Sequence, residues 1–186
     1  MNSGGGSCSY LCIFTLILVL SICIAACGCI REETGYASGV DETQEWRSIP
    51  LQDVSTREIF TIESLNGSSI LLFTFTTSCP VCIQQQKEIM SLAMISSYPI
   101  IPVGLDIEPN ADEESLGTYL QRNGLSGYYA LSPPYMTRSL VNSFGMEIIS
   151  PATAPVVMVC PQGEAKKLRA GLKPATEVLE ALQQEC

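Results

Sequence analysis

Two cysteines, Cys79 and Cys82, lie where an apolar strand pattern changes to a helical one. Residues 70–76 are rich in Ile, Leu, Phe and Thr, which predicts a buried strand. Residues 80–95 predict a helix, and Pro80 suits its first turn, where a backbone N–H has no helical partner. Positions three apart on a helix are neighbours, so the two sulfurs can form one disulfide.

The first sulfur of this pair is predicted to lie at the N-terminus of the helix. Free backbone N–H groups and the positive end of the helix dipole meet there, and both favour a thiolate. The thiolate is the form of cysteine that attacks disulfides, so Cys79 is the predicted nucleophile. Cys82 is predicted to be deeper and to act second.

The composition excludes several other kinds of site. The 186-residue chain has no histidine, which excludes Cys–His and Ser–His dyads and any metal site that needs imidazole. Its net charge of −9 argues against a nucleic-acid partner, because phosphate binding needs a basic surface. A zinc site needs four ligands, and Cys27-Gly28-Cys29 has the wrong spacing to supply a second pair.

Redox chemistry is therefore the favoured interpretation of the cysteine pair, and no metal or cofactor is predicted. An inert structural disulfide and half of a metal site are the alternatives.

The first 30 residues carry no charged side chain, and residues 11–26 form an apolar run that is typical of a secretory signal. Ile24-Ala25-Ala26-Cys27 resembles the lipobox of prokaryotic lipoproteins, which implies cleavage before Cys27 and lipidation of its sulfur. An uncleaved anchor and a simple cleaved signal are alternatives, since about 20 apolar residues span a bilayer. All three interpretations place the rest of the chain outside the cytoplasm.

Residues 31–54 are rich in charges, Gly and Ser and predict a polar linker between a signal or anchor over residues 1–30 and a domain over residues 55–186. Trp46, the only tryptophan, is expected to dock either on the domain or at membrane headgroups.

Strand and helix patterns alternate through the predicted domain. This alternation predicts an α/β fold with a mixed sheet covered on both sides by helices. Asn66-Gly67 is a strong hairpin-turn signal. The predicted strands cover residues 58–62, 70–76, 99–106, 128–131, 156–160 and 165–169, and the predicted helices cover residues 80–95, 111–122, 134–144 and 174–184.

Together these elements resemble the thioredoxin superfamily and, within it, the TlpA/ResA-like membrane-tethered thiol-disulfide oxidoreductases. The similarity extends over about residues 55–184 and rests on four features. They are the strand before Cys79-Pro80-Val81-Cys82, the helix-strand unit over residues 111–131, Thr153-Ala154-Pro155 before a strand, and the Pro161-Gln162-Gly163 turn followed by Gly171.

The resemblance implies a redox-active disulfide between Cys79 and Cys82, protein disulfide or dithiol clients, and a redox partner that recycles the pair. It also implies a cis peptide bond before Pro155, which would face the cysteines; such bonds are a minority of X–Pro bonds. The substrate groove would be formed by Pro80, Val81, Ala154 and Pro155. A disulfide reductase is the expected function, with a disulfide-introducing oxidant, a thiol peroxidase and a redox-inactive tethered binding module as alternatives.

The chain departs from this family at two places. Ser78 stands where a tryptophan usually precedes the first cysteine, and Phe73 stands where a buried acid often transfers protons. Glu88 is the nearest carboxylate downstream of the pair.

Several other residues have two possible roles. Cys160 is expected to fill the core and Cys186 to be exposed, and their pairing is left open. Tyr128 and Tyr129 are expected in the core of a strand rather than in a groove. The acidic residues that follow the strand over residues 99–106 are expected to cap a helix rather than to bind a cation, and they are Asp106, Glu108 and Asp112.

Overall fold

The computed structural model describes residues 45–186, so the predicted signal or anchor, Cys27 and residues 31–44 of the predicted linker lie outside it. The described strands are β1 (Leu51–Gln52), β2 (Ile59–Phe60), β3 (Ser69–Phe75), β4 (Ile100–Asp106), β5 (Tyr128–Leu131), β6 (Val156–Val159) and β7 (Ala165–Lys167). The described α-helices are α1 (Pro80–Ile95), α2 (Glu113–Asn123), α3 (Pro134–Phe144) and α4 (Ala175–Glu185). None of these helices is both long enough and apolar enough to cross a membrane.

Five strands form a mixed sheet in the order β5-β4-β3-β6-β7. Strands β3, β4 and β5 are parallel, whereas β6 runs antiparallel to β3 and β7 antiparallel to β6. Strand β3 is buried along its whole length, as expected for a central strand with helices on both faces. The predicted α/β fold with a mixed sheet is therefore confirmed.

Each face of the sheet supports its own apolar core. Alternate residues of β3 divide between the two cores, with Leu72 on one side and Phe73 on the other. The first core includes Met136 and Leu140 of α3. The second core contains apolar residues of the three other helices and includes Cys82. The cysteine pair therefore lies on the face that α1, α2 and α4 cover.

The end of the predicted polar linker is part of the folded structure, so its predicted boundary at residue 54 is wrong. Trp46 is 1% exposed and packs edge-on against Phe144, with ring centroids 5.5 Å apart. Leu51 is also buried, and Asp53 accepts a hydrogen bond from the backbone N–H of Tyr129. The few apolar residues of this stretch complete the first core, although charges surround them in the sequence. Trp46 thus docks on the domain.

The hairpin predicted at Asn66-Gly67 is also wrong. Strand β2 pairs with β1, not with β3, and a 3-10 turn over Glu63–Leu65 separates it from the turn. Gly67 still has a positive φ of 90°, which accounts for the glycine in the turn signal.

The cap residues of α2 match the prediction for a helix entry. The Asp112 carboxylate accepts the backbone N–H of Ser115 at 2.8 Å, and Gly124 ends the helix in the left-handed conformation. Asp112 is thereby committed to capping. Within residues 45–186, no group of three or more acidic or cysteine side chains is arranged to hold a metal ion.

A second disulfide joins Cys160, just after β6, to Cys186 at the end of the chain. It ties α4 to the sheet and closes a loop with a sequence separation of 26 residues. A crosslink over a loop of this length stabilises a fold by about 3 kcal/mol in the chain-entropy description. Cys186 is exposed as expected. The sequence left open whether Cys160 and Cys186 pair, and in the structure they do.

Candidate functional site: the Cys79–Cys82 pair

Cys79 and Cys82 form a disulfide at the N-terminus of α1, with Cα atoms 5.3 Å apart. Cys79 is the N-cap of this helix, and its backbone is extended. Its sulfur accepts the backbone N–H of Cys82 at 3.2 Å. A sulfur in this position faces the unpaired N–H groups and the positive dipole end of the helix, which stabilise a thiolate once the disulfide is reduced.

The two cysteines differ in their access to solvent. Cys79 is half-buried, whereas Cys82 is 2% exposed and packs in the second core. An incoming disulfide can therefore reach the first sulfur more easily than the second. This is the asymmetry that a nucleophile and a resolving cysteine need.

A backbone carbonyl that sequence reasoning missed contacts both sulfurs. The oxygen of Pro151 lies 3.6 Å from Cys79 Sγ and 3.3 Å from Cys82 Sγ. In the reduced protein, an S–H group at either position can donate to this oxygen. A carbonyl oxygen disfavours a thiolate beside it, and the shorter distance makes this effect larger at Cys82.

Pro151 begins a 3-10 turn over Pro151–Thr153, and the turn ends at Ala154. The Ala154 N–H donates to the Pro151 oxygen at 2.9 Å, so this oxygen is held by the turn that presents it to the sulfurs. We refer to residues 151–154 as the 151–154 turn.

The expectation of a cis peptide bond before Pro155 is wrong, because this bond is trans in the structure. Ala154 instead has φ 46° and ψ 59°, in the left-handed region. This left-handed conformation has a conformational cost for a residue with a Cβ.

The predicted groove residues occupy two different environments. Pro80 is exposed and Val81 half-buried, so both adjoin the disulfide at the surface. Ala154 is 2% exposed and Pro155 is buried. The exposed wall opposite the pair is formed by residues earlier in the turn, since Pro151 is half-buried and Ala152 exposed.

The loop before Cys79 is fixed by a carboxylate from the neighbouring strand connection. Glu108 accepts both the backbone N–H of Thr77, at 3.1 Å, and its hydroxyl, at 2.8 Å. The Cys79 N–H in turn donates to the Thr76 carbonyl. Glu108 therefore positions the segment that carries Cys79, a role that its place between a strand and a helix did not reveal.

Aromatic rings occupy the place where a buried acid would face the cysteine helix. The rings of Phe73 and Tyr129 lie edge-on, with centroids 5.9 Å apart. Both cover Gly104, where a Cβ would come within 2.8 Å of either ring. Phe73 therefore replaces the buried acid expected from the family resemblance, and Gly104 on the neighbouring strand makes room for its ring and that of Tyr129.

A buried carboxyl lies on this face at another position. Asp106, at the end of β4, is 2% exposed, and its Oδ1 accepts the N–H of Glu108 at 2.9 Å. Its Oδ2 has no hydrogen-bond partner among residues 45–186. Burial raises the pKa of Asp106 to about 6, and the nearby charge of Glu108 adds to this effect. Asp106 is thus not the cap of the following helix, which is Asp112.

Gln86 and Tyr119 connect this region to α1. Gln86 lies one turn after Cys82 and is 1% exposed, and its Oε1 accepts the Tyr119 hydroxyl at 3.3 Å. Burial raises the pKa of Tyr119 to about 12, and the charge of Asp106 contributes in the same direction.

Glu88, the nearest downstream carboxylate, has a structural role. Its Oε2 accepts the backbone N–H of Ala175 at 2.8 Å, which caps the first turn of α4 and ties this helix to α1.

No protein-family model and no curated protein sequence matches this chain. The fold is similar to solved structures of low sequence identity. A secreted Mycobacterium tuberculosis disulfide oxidoreductase homologous to E. coli DsbE is 14% identical, with a TM-score of 0.58 over 78% of this chain and 99% of the other. Mycobacterium tuberculosis DsbF is 15% identical, with a TM-score of 0.59 over 78% and 98% of the two chains.

A DsbF homologue from Corynebacterium diphtheriae is 10% identical, with a TM-score of 0.61 over 73% of this chain and 83% of the other. Each of these three structures matches about three quarters of this chain. The described residues therefore have the thioredoxin-like fold of these thiol-disulfide oxidoreductases.

Proposed function

We propose that this protein is an extracytoplasmic thiol-disulfide oxidoreductase that reduces disulfides in client proteins through Cys79 and Cys82. One observation carries the proposal: a half-buried sulfur caps a helix and is paired with a buried sulfur one turn along. The thioredoxin-like fold and the activities of the similar structures support the same chemistry.

In the first step, the Cys79 thiolate attacks one sulfur of a client disulfide. A mixed disulfide forms, the client S–S bond breaks, and the leaving client sulfur takes up a proton. The N–H of Cys82 and the dipole of α1 stabilise the thiolate before the attack. Pro80 and Val81 border the attacking Cys79 sulfur and would contact the client together with the 151–154 turn.

In the second step, Cys82 loses its proton and attacks Cys79 Sγ. The mixed disulfide breaks, the second client sulfur leaves and takes up a proton, and the internal disulfide forms. Two electrons pass from the cysteine pair to the client. The two protons that the client sulfurs take up from solvent balance the one that Cys79 released when it ionised and the one that Cys82 releases before its attack. A separate redox partner must then reduce the internal disulfide before another cycle.

The direction of electron flow depends on the reduction potential of the pair. A potential near −270 mV, as in thioredoxin, favours the reductase, whereas one near −120 mV favours an oxidant that introduces disulfides.

The proposed compartment is outside the cytoplasm. Stable disulfides such as Cys160–Cys186 are typical of oxidising compartments, and the similar M. tuberculosis oxidoreductase is described as secreted. The membrane tether is proposed from the lipobox-like sequence alone.

We expect a radiolabelled fatty acid to be incorporated into the full chain and to be lost in Cys27→Ser, because acylation would need the Cys27 sulfur. Labelling that survives this substitution would contradict lipidation at Cys27.

The sharpest test of the function is to trap the client. In Cys82→Ala, the first step can occur but the resolving sulfur is absent, so a Cys79–client mixed disulfide should accumulate. We expect higher-mass adducts on non-reducing gels that disappear on reduction, and mass spectrometry of them identifies the client.

The matched control is Cys79→Ala, which keeps the buried sulfur but removes the accessible one. It should accumulate far less adduct than Cys82→Ala, because Cys82 is 2% exposed. Equal trapping by the two variants, or none by Cys82→Ala, would contradict the proposed exchange.

A further inference from the structure

A buried lysine lies beneath the loop that contacts the cysteine pair. Lys173, in the connection between β7 and α4, is 0% exposed, which is rare for lysine. Its ammonium donates to three backbone carbonyls: those of Ala154 at 2.8 Å, Arg169 at 3.1 Å and Gly171. Three donors thus meet three acceptors, and none of the acceptors is a carboxylate.

The backbone of Lys173 is attached to the cysteine helix. Gln85, one turn after Cys82, accepts the Lys173 N–H at 2.8 Å and donates to the Lys173 carbonyl at 3.1 Å. The side chain of Gln85 is 2% exposed, so these two bonds are sheltered from water. Lys173 therefore has a fixed position relative to α1.

A continuous series of hydrogen bonds leads from this ammonium to the sulfurs. The Lys173 ammonium binds the Ala154 carbonyl, the Ala154 N–H binds the Pro151 carbonyl, and the Pro151 oxygen contacts Cys82 Sγ at 3.3 Å. The same turn is also held by Gly171, whose N–H donates to the Thr153 carbonyl at 2.7 Å.

Holding this charge inside the protein is costly. The pKa of Lys173 is lowered to about 8, mainly by burial and in smaller part by the charge of Arg169, while the charge of Glu177 acts in the opposite direction. An apolar side chain of similar length could fill the same space without this cost. The hydrogen bond to the Ala154 carbonyl of the turn is what lysine provides and an apolar residue does not.

We propose that Lys173 is a positioning residue whose buried ammonium holds the 151–154 turn, so that the Pro151 carbonyl stays against Cys82 and keeps its thiol protonated in the reduced protein. The inference rests on the proposed function, because it assigns a control over the resolving cysteine. A protonated Cys82 does not attack until it loses its proton. The two cysteines therefore keep separate roles, with Cys79 ionised first.

The test compares Lys173→Met with the wild-type full chain. Methionine has a similar volume but cannot donate a hydrogen bond. The turn then keeps the Gly171 bond to Thr153 but loses the Lys173 bond to Ala154, so the Pro151 carbonyl is expected to move away from Cys82. We expect the pKa of the Cys82 thiol to fall by about one unit and its alkylation at pH 7 to become about tenfold faster. Alkylation of Cys82 is followed by peptide mass spectrometry as a function of pH, in a Cys79→Ser background that removes the competing thiolate.

Lys166→Met is the matched control. Lys166 lies on β7, is exposed and pairs with Glu185, so this variant loses a lysine without touching the 151–154 turn. It should leave the alkylation profile of Cys82 unchanged. A well-folded Lys173→Met protein with an unchanged profile would overturn the proposal.

Lys173→Gln is the second variant, because it removes the buried charge and keeps one N–H donor group. It should shift the Cys82 profile in the same direction but less than methionine does. If neither variant folds, the hydrogen exchange of the Ala154 amide in the wild-type protein tests the proposal instead. Protection of this amide should fall selectively as Lys173 loses its proton above pH 8, and unchanged protection would contradict the proposal.

Alkylation requires no client protein, so the two proposals can fail separately. A pKa shift without client trapping would refute the proposed function alone. Client trapping with no shift in Lys173→Met would refute the role of Lys173 alone.

Discussion

Replacing Cys79 with serine is expected to reduce the rate of insulin-disulfide reduction to that of the reaction without protein. A serine hydroxyl is not ionised near neutral pH and cannot form a disulfide, so no mixed disulfide with insulin can arise. Cys82 cannot take over the attack because it is 2% exposed. The assay follows insulin turbidity with dithiothreitol as the electron donor.

The matched control replaces both members of the other disulfide, Cys160 and Cys186, with serine. That disulfide lies at the opposite end of β6 from the 151–154 turn, so its removal should leave the rate of insulin reduction intact. Insulin reduction that survives in Cys79→Ser but is lost in the double variant would show that Cys160 and Cys186, not Cys79 and Cys82, carry out the reaction.

The location of the cysteine pair could be predicted from sequence because the signals for it are local. A buried strand, two cysteines three apart and a helix follow one another within about 30 residues. Helix geometry then places residues three apart next to each other. The caps of α2 were predictable for the same reason, since Asp112 and Gly124 act on residues within one turn.

The surroundings of the pair could not be predicted because they arise from distant parts of the chain. Pro151 and Lys173 are 69 and 91 residues from Cys82, counted along the sequence, and only the folded sheet brings their loops beside it. Lysine before a helix resembles ordinary surface sequence, and nothing in its neighbours indicates burial. The same difficulty applies to Trp46, which stands among charged residues yet completes the first core.

The cis bond before Pro155 was expected from family resemblance rather than from the chain itself. Ala154 has a left-handed backbone in this protein, and its carbonyl is one of the three that Lys173 binds. A local change in backbone geometry and an unusual buried cation therefore occur at the same place.

Asp106→Asn is expected to stabilise the protein at pH 8 by on the order of 3 kcal/mol. Burial raises the pKa of Asp106 from its ordinary value of 3.8 to about 6, so the folded state binds this proton more tightly than the unfolded state. Stability is therefore lost as the pH rises from about 4 to about 6, and the loss is complete at pH 8. Asparagine has no charge to bury and keeps the acceptor for the Glu108 N–H.

Denaturant unfolding at pH 4 and pH 8 measures this effect. The increase in the free energy of unfolding of Asp106→Asn over the wild type should be small at pH 4, where the wild-type carboxyl is already mostly protonated in the folded state. It should be near its full size at pH 8. Glu180→Gln is the matched control, because Glu180 is an exposed carboxylate on α4 and its neutralisation should alter stability little at either pH. A gain of equal size at both pH values would show that the benefit comes from packing, and a loss at pH 8 would show that the ionised carboxyl stabilises the fold.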